Sequence, residues 1–126
     1  MLDSELNAAA AQHVMGWTVD EPPAGHRPYY CDASGELVQD ALEWQPCADI
    51  AQAWMLVEKL RADGWALRLH APGSRFADIG WFGKRWVANF DRHADGSMVQ
   101  AEADTETRAI VLAALRALGV EVKDAN

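Results

Sequence analysis

The 126-residue sequence contains no apolar run near the roughly 18 residues that a membrane-spanning helix requires. Its first residues are acidic, and the basic segment that opens a secretory signal peptide is missing. Together these two absences predict a cytoplasmic protein that neither crosses nor binds a membrane.

Sequence motifs of known catalytic and nucleotide-binding sites are also missing. The patterns GxxxxGK[ST], GxGxxG, HExxH and GxSxG do not occur, and neither does a calcium-binding EF-hand loop. No internal repeat is visible. The absence of such motifs favours a non-enzymatic protein without catalytic residues, and we predict no cofactor.

Basic residues are scarce, with 11 Lys and Arg against 19 Asp and Glu, which leaves a net charge of −8. Direct binding to nucleic acid needs clustered Lys and Arg, so the composition disfavours it. Scattered acidic residues are typical of a soluble protein surface. The alternative is a protein that mimics DNA or docks on a basic partner.

Only two cysteines occur, Cys31 and Cys47, and their spacing matches no zinc-binding pattern. With His26 and His70 they could in principle supply the four ligands of a zinc ion. Free thiols in a reducing cytoplasm are the simpler interpretation, and we predict no metal site.

Three amphipathic helices are predicted, at residues 3–15, 48–62 and 105–118. The third is apolar on more than one side and is rich in alanine, which would allow close packing. In the first two, apolar residues recur at helical spacing. The predicted buried residues of these two helices are Leu6, Ala9, Ala10, His13, Val14, Ile50, Ala53, Trp54, Val57 and Leu60.

Residues 65–103 alternate between apolar and polar side chains in four runs, which predicts a four-stranded antiparallel meander. Turns are predicted at 71–75, 83–84 and 95–96. Two short strands at 29–31 and 36–38 precede it. The core face of the meander would carry Trp65, Leu67, Leu69, Ile79, Trp81, Trp86, Ala88, Phe90 and Ala101.

The opposite face of this sheet is predicted to be polar. One cross-strand row would hold Arg68, Asp78, Asn89 and Glu102, and the next His70, Phe76, Asp91 and Gln100. A solvated face with an Arg68–Asp78 ion pair is the simplest interpretation. The alternative is a binding surface that continues into the cationic hairpin tip. Its candidate residues are Arg68, His70, Asp78, Phe82, Lys84, Arg85, Asn89, Asp91 and Glu102.

Several short motifs resemble those of the phage ABA sandwich domain family of small phage and prophage proteins. They include residues 13–17 (HVMGW), 30–32 (YCD) with Gly35, 44–46 (WQP) and 49–54 (DIAQAW). The resemblance also includes Val57-Glu58, 101–103 and residues 109–115. It departs from the family at 47–48, where a Ser/Thr pair is more usual. The resemblance implies a phage-encoded domain of helices and a sheet, and it implies no catalytic residues.

The sequence therefore predicts a single α+β domain over residues 1–126, with N-terminal, middle and C-terminal helices packed on the meander. We expect a small acidic phage accessory protein, monomeric or a small homo-oligomer, that binds a host protein or complex. Inhibition of bacterial antiviral defence, as by an anti-CRISPR protein, is one form of this function. A small-ligand or nucleotide-binding protein is the alternative, and a small hydrolase around His70 is a third possibility.

Overall fold

The computed structural model describes residues 2–20, 27–73, 75–76, 80–81 and 83–122, with backbone alone for the two short segments. The fold is α+β, as predicted, and consists of three helices and two three-stranded antiparallel sheets. A pair of two-residue strands is added to these. No helix in the described part of the chain has the length and apolar composition needed to cross a membrane.

The first helix, α1, spans Asp3–Ala9 and continues as a π-helical segment at Ala10–Val14. A π-helical turn holds more residues than an α-helical turn, so the buried face shifts along the sequence. Ala11 is consequently buried and His13 is exposed, which corrects the prediction of a partly buried His13. Gly16 ends the segment with a φ of 73°, a conformation that glycine adopts without strain.

The second helix, α2, spans Ile50–Ala62. Its N-cap is Asp49, whose carboxylate accepts hydrogen bonds from the backbone N–H groups of Ala51 and Gln52. The buried residues of α2 are Ala53, Leu56, Val57 and Leu60. Ile50 and Trp54 are exposed, so the prediction that they pack in the core is wrong.

The third helix, α3, spans Glu106–Ala117 and begins at Thr105, whose hydroxyl oxygen accepts a hydrogen bond from the backbone N–H of Arg108. All seven residues from 109 to 115 are buried, so α3 is surrounded by other elements over two turns. It contacts the main sheet, α1, the π-helical segment and α2. This central position explains why its sequence is apolar on more than one side.

The small sheet is formed by three strands in the order β1, β2, β3. These are β1 (Thr18–Asp20), β2 (Tyr29–Cys31) and β3 (Leu37–Asp40), and β1 lies outside the predicted strands. Tyr30 of β2 is linked to α1 through Trp17 and Trp44, and all three side chains are buried. The ring centroids of Tyr30 and Trp17 lie 5.8 Å apart. The ring centroids of Trp17 and Trp44 lie 4.8 Å apart in an edge-on arrangement, and the indole N–H of Trp44 donates to the carbonyl of Asn7 at 2.8 Å.

The main sheet contains β4 (Trp65–His70), β7 (Trp86–Arg92) and β8 (Ser97–Ala103). Its order is β4, β7, β8, so β4 pairs directly with β7, and the predicted four-stranded meander is not found. Among the described residues, the intervening β5 (Arg75–Phe76) and β6 (Gly80–Trp81) pair with each other and with no other strand. Residues 120–122, after α3, form no strand.

Two details explain how the sheet differs from the prediction. Leu67 lies opposite Phe90, and Leu69 opposite Ala88, so the apolar residues of β4 and β7 share a face without an intermediate strand. The β7–β8 turn contains four residues rather than two, and Phe90 faces Val99 instead of Ala101. Both changes preserve the alternation of the strands, so the predicted inner face is confirmed for β4, β7 and β8. Of the other predicted inner-face residues, Ile79 lies outside the described residues, and Trp81 is in β6, outside the main sheet.

The layers follow from these contacts. Helix α3 covers β7 and β8 on the inner face of the main sheet, and α2 covers β4. Helix α1 and the π-helical segment contact α3 and together complete its burial. The hydrophobic core therefore lies between the inner face of the main sheet and the helices.

Candidate functional site

The predicted polar surface does lie on the outer face of the main sheet, but the cross-strand neighbours of its residues differ from those predicted. Arg68 and Asn89 share a cross-strand row, as predicted, and Gln100 rather than Glu102 completes it. The Nε of Arg68 lies 3.6 Å from a carboxylate oxygen of Asp91, so Asp91 replaces the predicted partner Asp78. With Arg68 61% exposed, this ion pair contributes little to stability.

His70 and Asp91 are not brought together. His70 lies opposite Val87, whereas Asp91 lies opposite Ala66, four residues away along the paired strands. At the usual rise of a strand this separation is about 13 Å. Direct proton transfer between the two side chains needs hydrogen-bond distance, so the predicted row gives no acid/base pair.

The centre of the outer face of the main sheet is buried. Val87 points away from the core and is still only 1% exposed. The adjacent Asn89 has a buried side-chain oxygen, and this oxygen accepts no hydrogen bond from the described residues. A buried amide oxygen without a donor is costly, so this position is suited to a donor from outside the described chain.

The predicted hairpin-tip residues are only partly described, because Asp78 and Phe82 lie outside the described residues. Lys84 is exposed. The Nε of Arg85 lies 3.3 Å from a carboxylate oxygen of Asp104, an ion-pair distance without hydrogen-bond alignment. Arg85 is therefore directed towards the start of α3, and it lines one pocket with Glu102, another predicted site residue, and with Gln100.

A second surface, which the sequence analysis missed, lies on the outward side of α2. Trp54 is 46% exposed, and Ile50, one turn earlier on the same side, is 49% exposed. Tryptophan is highly buried on average, and an exposed one beside a second apolar side chain is a candidate contact residue. The signal in the sequence was ambiguous, because Leu56 provides an alternative apolar stripe.

Next to Ile50, the starts of α2 and α3 enclose a pocket of about 540 Å³. Its lining includes Asp3, Asp104, Glu106 and Arg108 as charged side chains. Arg108 forms an ion pair with Asp3. We refer to Ile50, Trp54 and this pocket together as the α2 surface.

The residues that carry the family resemblance mostly have structural roles. Trp44 is buried, Gly16 ends the first helix and Asp49 caps α2. Asp32 accepts hydrogen bonds from the hydroxyl and backbone N–H of Ser34 and from another backbone N–H, and these donors lower its pKa. Motifs of this kind specify the fold and do not identify a ligand.

The alternative of a zinc site at the two cysteines receives no support from the described residues. No three His, Cys, Asp or Glu side chains among the described residues lie close enough to share a metal ion. His26 lies outside the described residues. Both cysteines are free, and burial raises the pKa of Cys47 to about 12, so its thiol stays protonated and unreactive at neutral pH.

The architecture is that of a small α+β domain whose helices pack on one face of an antiparallel sheet. A family model described as the Phage ABA sandwich domain matches residues 8–115. The chain belongs to this family, and the predicted resemblance is confirmed.

The fold is also similar to that of a phage protein from Bacillus cereus ATCC 14579, known from a 2.0 Å crystal structure. The two chains are 16% identical, the similarity covers 98% of this chain and 93% of the other, and the TM-score is 0.66. At this identity the similarity establishes the fold alone. No curated protein matches the sequence significantly.

Proposed function

We propose that this phage domain is a non-enzymatic accessory protein that acts by binding a host protein or complex. Inhibition of a bacterial antiviral defence system is one form such binding would take. The observation that carries the proposal is the exposed Trp54 beside Ile50 on α2. Tryptophan is enriched among the few residues that dominate the binding energy of protein interfaces.

Trp54→Ala is expected to abolish retention of a host protein that the wild-type chain captures repeatedly from its host. Loss of a central interface tryptophan weakens binding by about 2 kcal/mol or more. Capture by the immobilised chain, followed by titration calorimetry with the purified host protein, measures the effect.

Met98→Ala is the matched control, because Met98 is 67% exposed on β8 and lies away from α2. It should leave capture unchanged. Repeated captures that return no host protein would contradict the proposal, as would equal retention by wild type and Trp54→Ala.

The second candidate is a small-ligand or nucleotide-binding protein that uses the outer face of the main sheet. The buried, unpaired oxygen of Asn89 favours it, since a ligand N–H or O–H would supply the missing donor. Arg68, in the same row, would attract an anionic group.

Thermal unfolding in the presence of nucleotides and signalling dinucleotides tests this candidate. A ligand at 100 times its dissociation constant adds about 2.7 kcal/mol, which corresponds to a Tm increase of roughly 10 °C for a domain of this size. Asn89→Leu should abolish the increase, and Trp54→Ala, on α2 and away from the sheet face, should retain it. An unchanged Tm across the ligand series, or an increase that survives in Asn89→Leu, would rule out this site.

A further inference from the structure

The exposed apolar side chains of α2 and the adjacent pocket form one continuous surface. Ile50 lines the pocket, and Trp54 follows it by one helical turn on the same side of the helix. A partner that covers Trp54 would therefore also reach the pocket. The charges of the pocket then determine which side chain of the partner is accepted there.

The charged side chains of the pocket lining are mostly acidic. They are the carboxylates of Asp3, Asp104 and Glu106 and the guanidinium of Arg108, with a net charge of −2 among them. Arg108 is already paired with Asp3. Glu106 forms no ion pair with any described residue. Asp104, paired with Arg85 on one side, still has a side chain 89% exposed.

Two helices start at this pocket, and their N-terminal N–H groups would ordinarily favour an anion. At this pocket, side chains of the protein itself accept hydrogen bonds from some of these N–H groups. Asp49 accepts two of these hydrogen bonds at α2, and the Thr105 hydroxyl accepts one at α3. Glu106 adds a negative charge in the first turn of α3. An incoming anion would meet these carboxylates, whereas a cation would be attracted by them.

We infer that the pocket receives a lysine or arginine side chain of the partner protein, while a neighbouring apolar side chain of that partner packs on Ile50 and Trp54. This inference rests on the proposed function and specifies its partner as a basic protein surface. The indole ring adds a face on which an arginine can stack. The net charge of −8 would speed association with a basic partner and disfavour a nucleic acid ligand.

Two amphipathic helical peptides of equal length and leucine content provide the probe, one with arginine and one with glutamate on the polar face. Binding is measured by fluorescence anisotropy of labelled peptides against the purified chain. The arginine peptide is expected to bind at least about tenfold more tightly than the glutamate peptide. Glu106→Lys and Trp54→Ala should each weaken it by about tenfold, and Glu106→Gln by about threefold.

Glu121→Lys and Glu121→Gln are the matched controls, because Glu121 is exposed beyond the other end of α3. They change the net charge equally and should leave peptide binding within about twofold of wild type. Circular dichroism of each variant verifies that it is folded. Equal binding of the two peptides, or equal losses in the Glu106 and Glu121 variants, would overturn the inference.

The test also distinguishes this inference from the function on which it rests. A host protein whose binding depends on Trp54 and is unaffected by Glu106→Lys would overturn the basic-partner inference and leave the proposed function standing. A wild-type dimer in sedimentation that Trp54→Ala converts to a monomer would overturn the inference by making a second copy the occupant.

Discussion

Replacing Phe90 by alanine is expected to lower the free energy of unfolding by about 3–5 kcal/mol. Phe90 is fully buried at the middle of β7, with Leu67 opposite it on one neighbouring strand and Val99 on the other. Helix α3 packs on the same strand and limits how far the structure can collapse into the cavity. The loss should therefore include both the lost transfer free energy of the buried ring and most of the cost of the cavity that it leaves.

Urea unfolding followed by circular dichroism measures this loss. A domain of this size has a free energy of unfolding of about 5–15 kcal/mol. The variant should therefore remain folded, with a lower urea midpoint and an unchanged dependence of the free energy on urea concentration. Met98→Ala on β8 is the control, and its exposed side chain should make the change less than about 0.5 kcal/mol. A loss below about 1 kcal/mol for Phe90→Ala would contradict a packed inner face.

The faces of the sheet could be predicted from the sequence, and the neighbours of its strands could not. Alternation fixes which side of the sheet a residue occupies, and it is unchanged when a strand shifts by two residues. The shift of Phe90 from Ala101 to Val99 is such a change. Direct pairing of β4 with β7 also preserves alternation, so the same pattern fits three strands as well as four.

Helix boundaries and the buried faces of helices could likewise be predicted only in part from the sequence. Asp49 and Thr105 are good N-cap residues, yet Cys47 and Asp104 also stand near the correct positions, and only the backbone geometry selects between them. On α2 two overlapping apolar stripes exist, and contact with α3 and β4 selects the one that contains Leu56. The exposed Trp54 follows from that tertiary choice.

How far each candidate site could be predicted depends on whether it needs alternation alone, the correct strand neighbours or a long-range contact. The polar outer face was predictable because it needs only alternation. Arg68 and Asn89 share a row as predicted, although they are direct neighbours rather than separated by Asp78. The Arg68–Asp91 contact needed the correct neighbour strand. The pocket beside Ile50 joins Asp3 to Arg108 across most of the sequence, and no local pattern indicates such a long-range approach.

Trp44→Ala is expected to cost about 3–5 kcal/mol and to loosen the small sheet from α1. The Trp44 ring is buried against Trp17, and its N–H bonds the carbonyl of Asn7. The side chain of Asn7 in turn accepts a hydrogen bond from the backbone N–H of Cys47. Removal of the indole leaves a large cavity where the 44–47 segment meets α1.

Trp54→Ala provides a control with the same chemical change, because Trp54 is exposed and its removal should cost less than about 1 kcal/mol. Trp44→Phe retains an aromatic ring and loses the N–H donor. Its loss of stability should be about 1–3 kcal/mol, between those of Trp54→Ala and Trp44→Ala. The near-ultraviolet circular dichroism of the coupled tryptophans should decrease in both Trp44 variants and be retained in Trp54→Ala, and hydrogen exchange in β2 should accelerate in Trp44→Ala. Equal losses of stability for Trp44→Ala and Trp54→Ala would show that the small sheet does not depend on the Trp17–Trp44 contact.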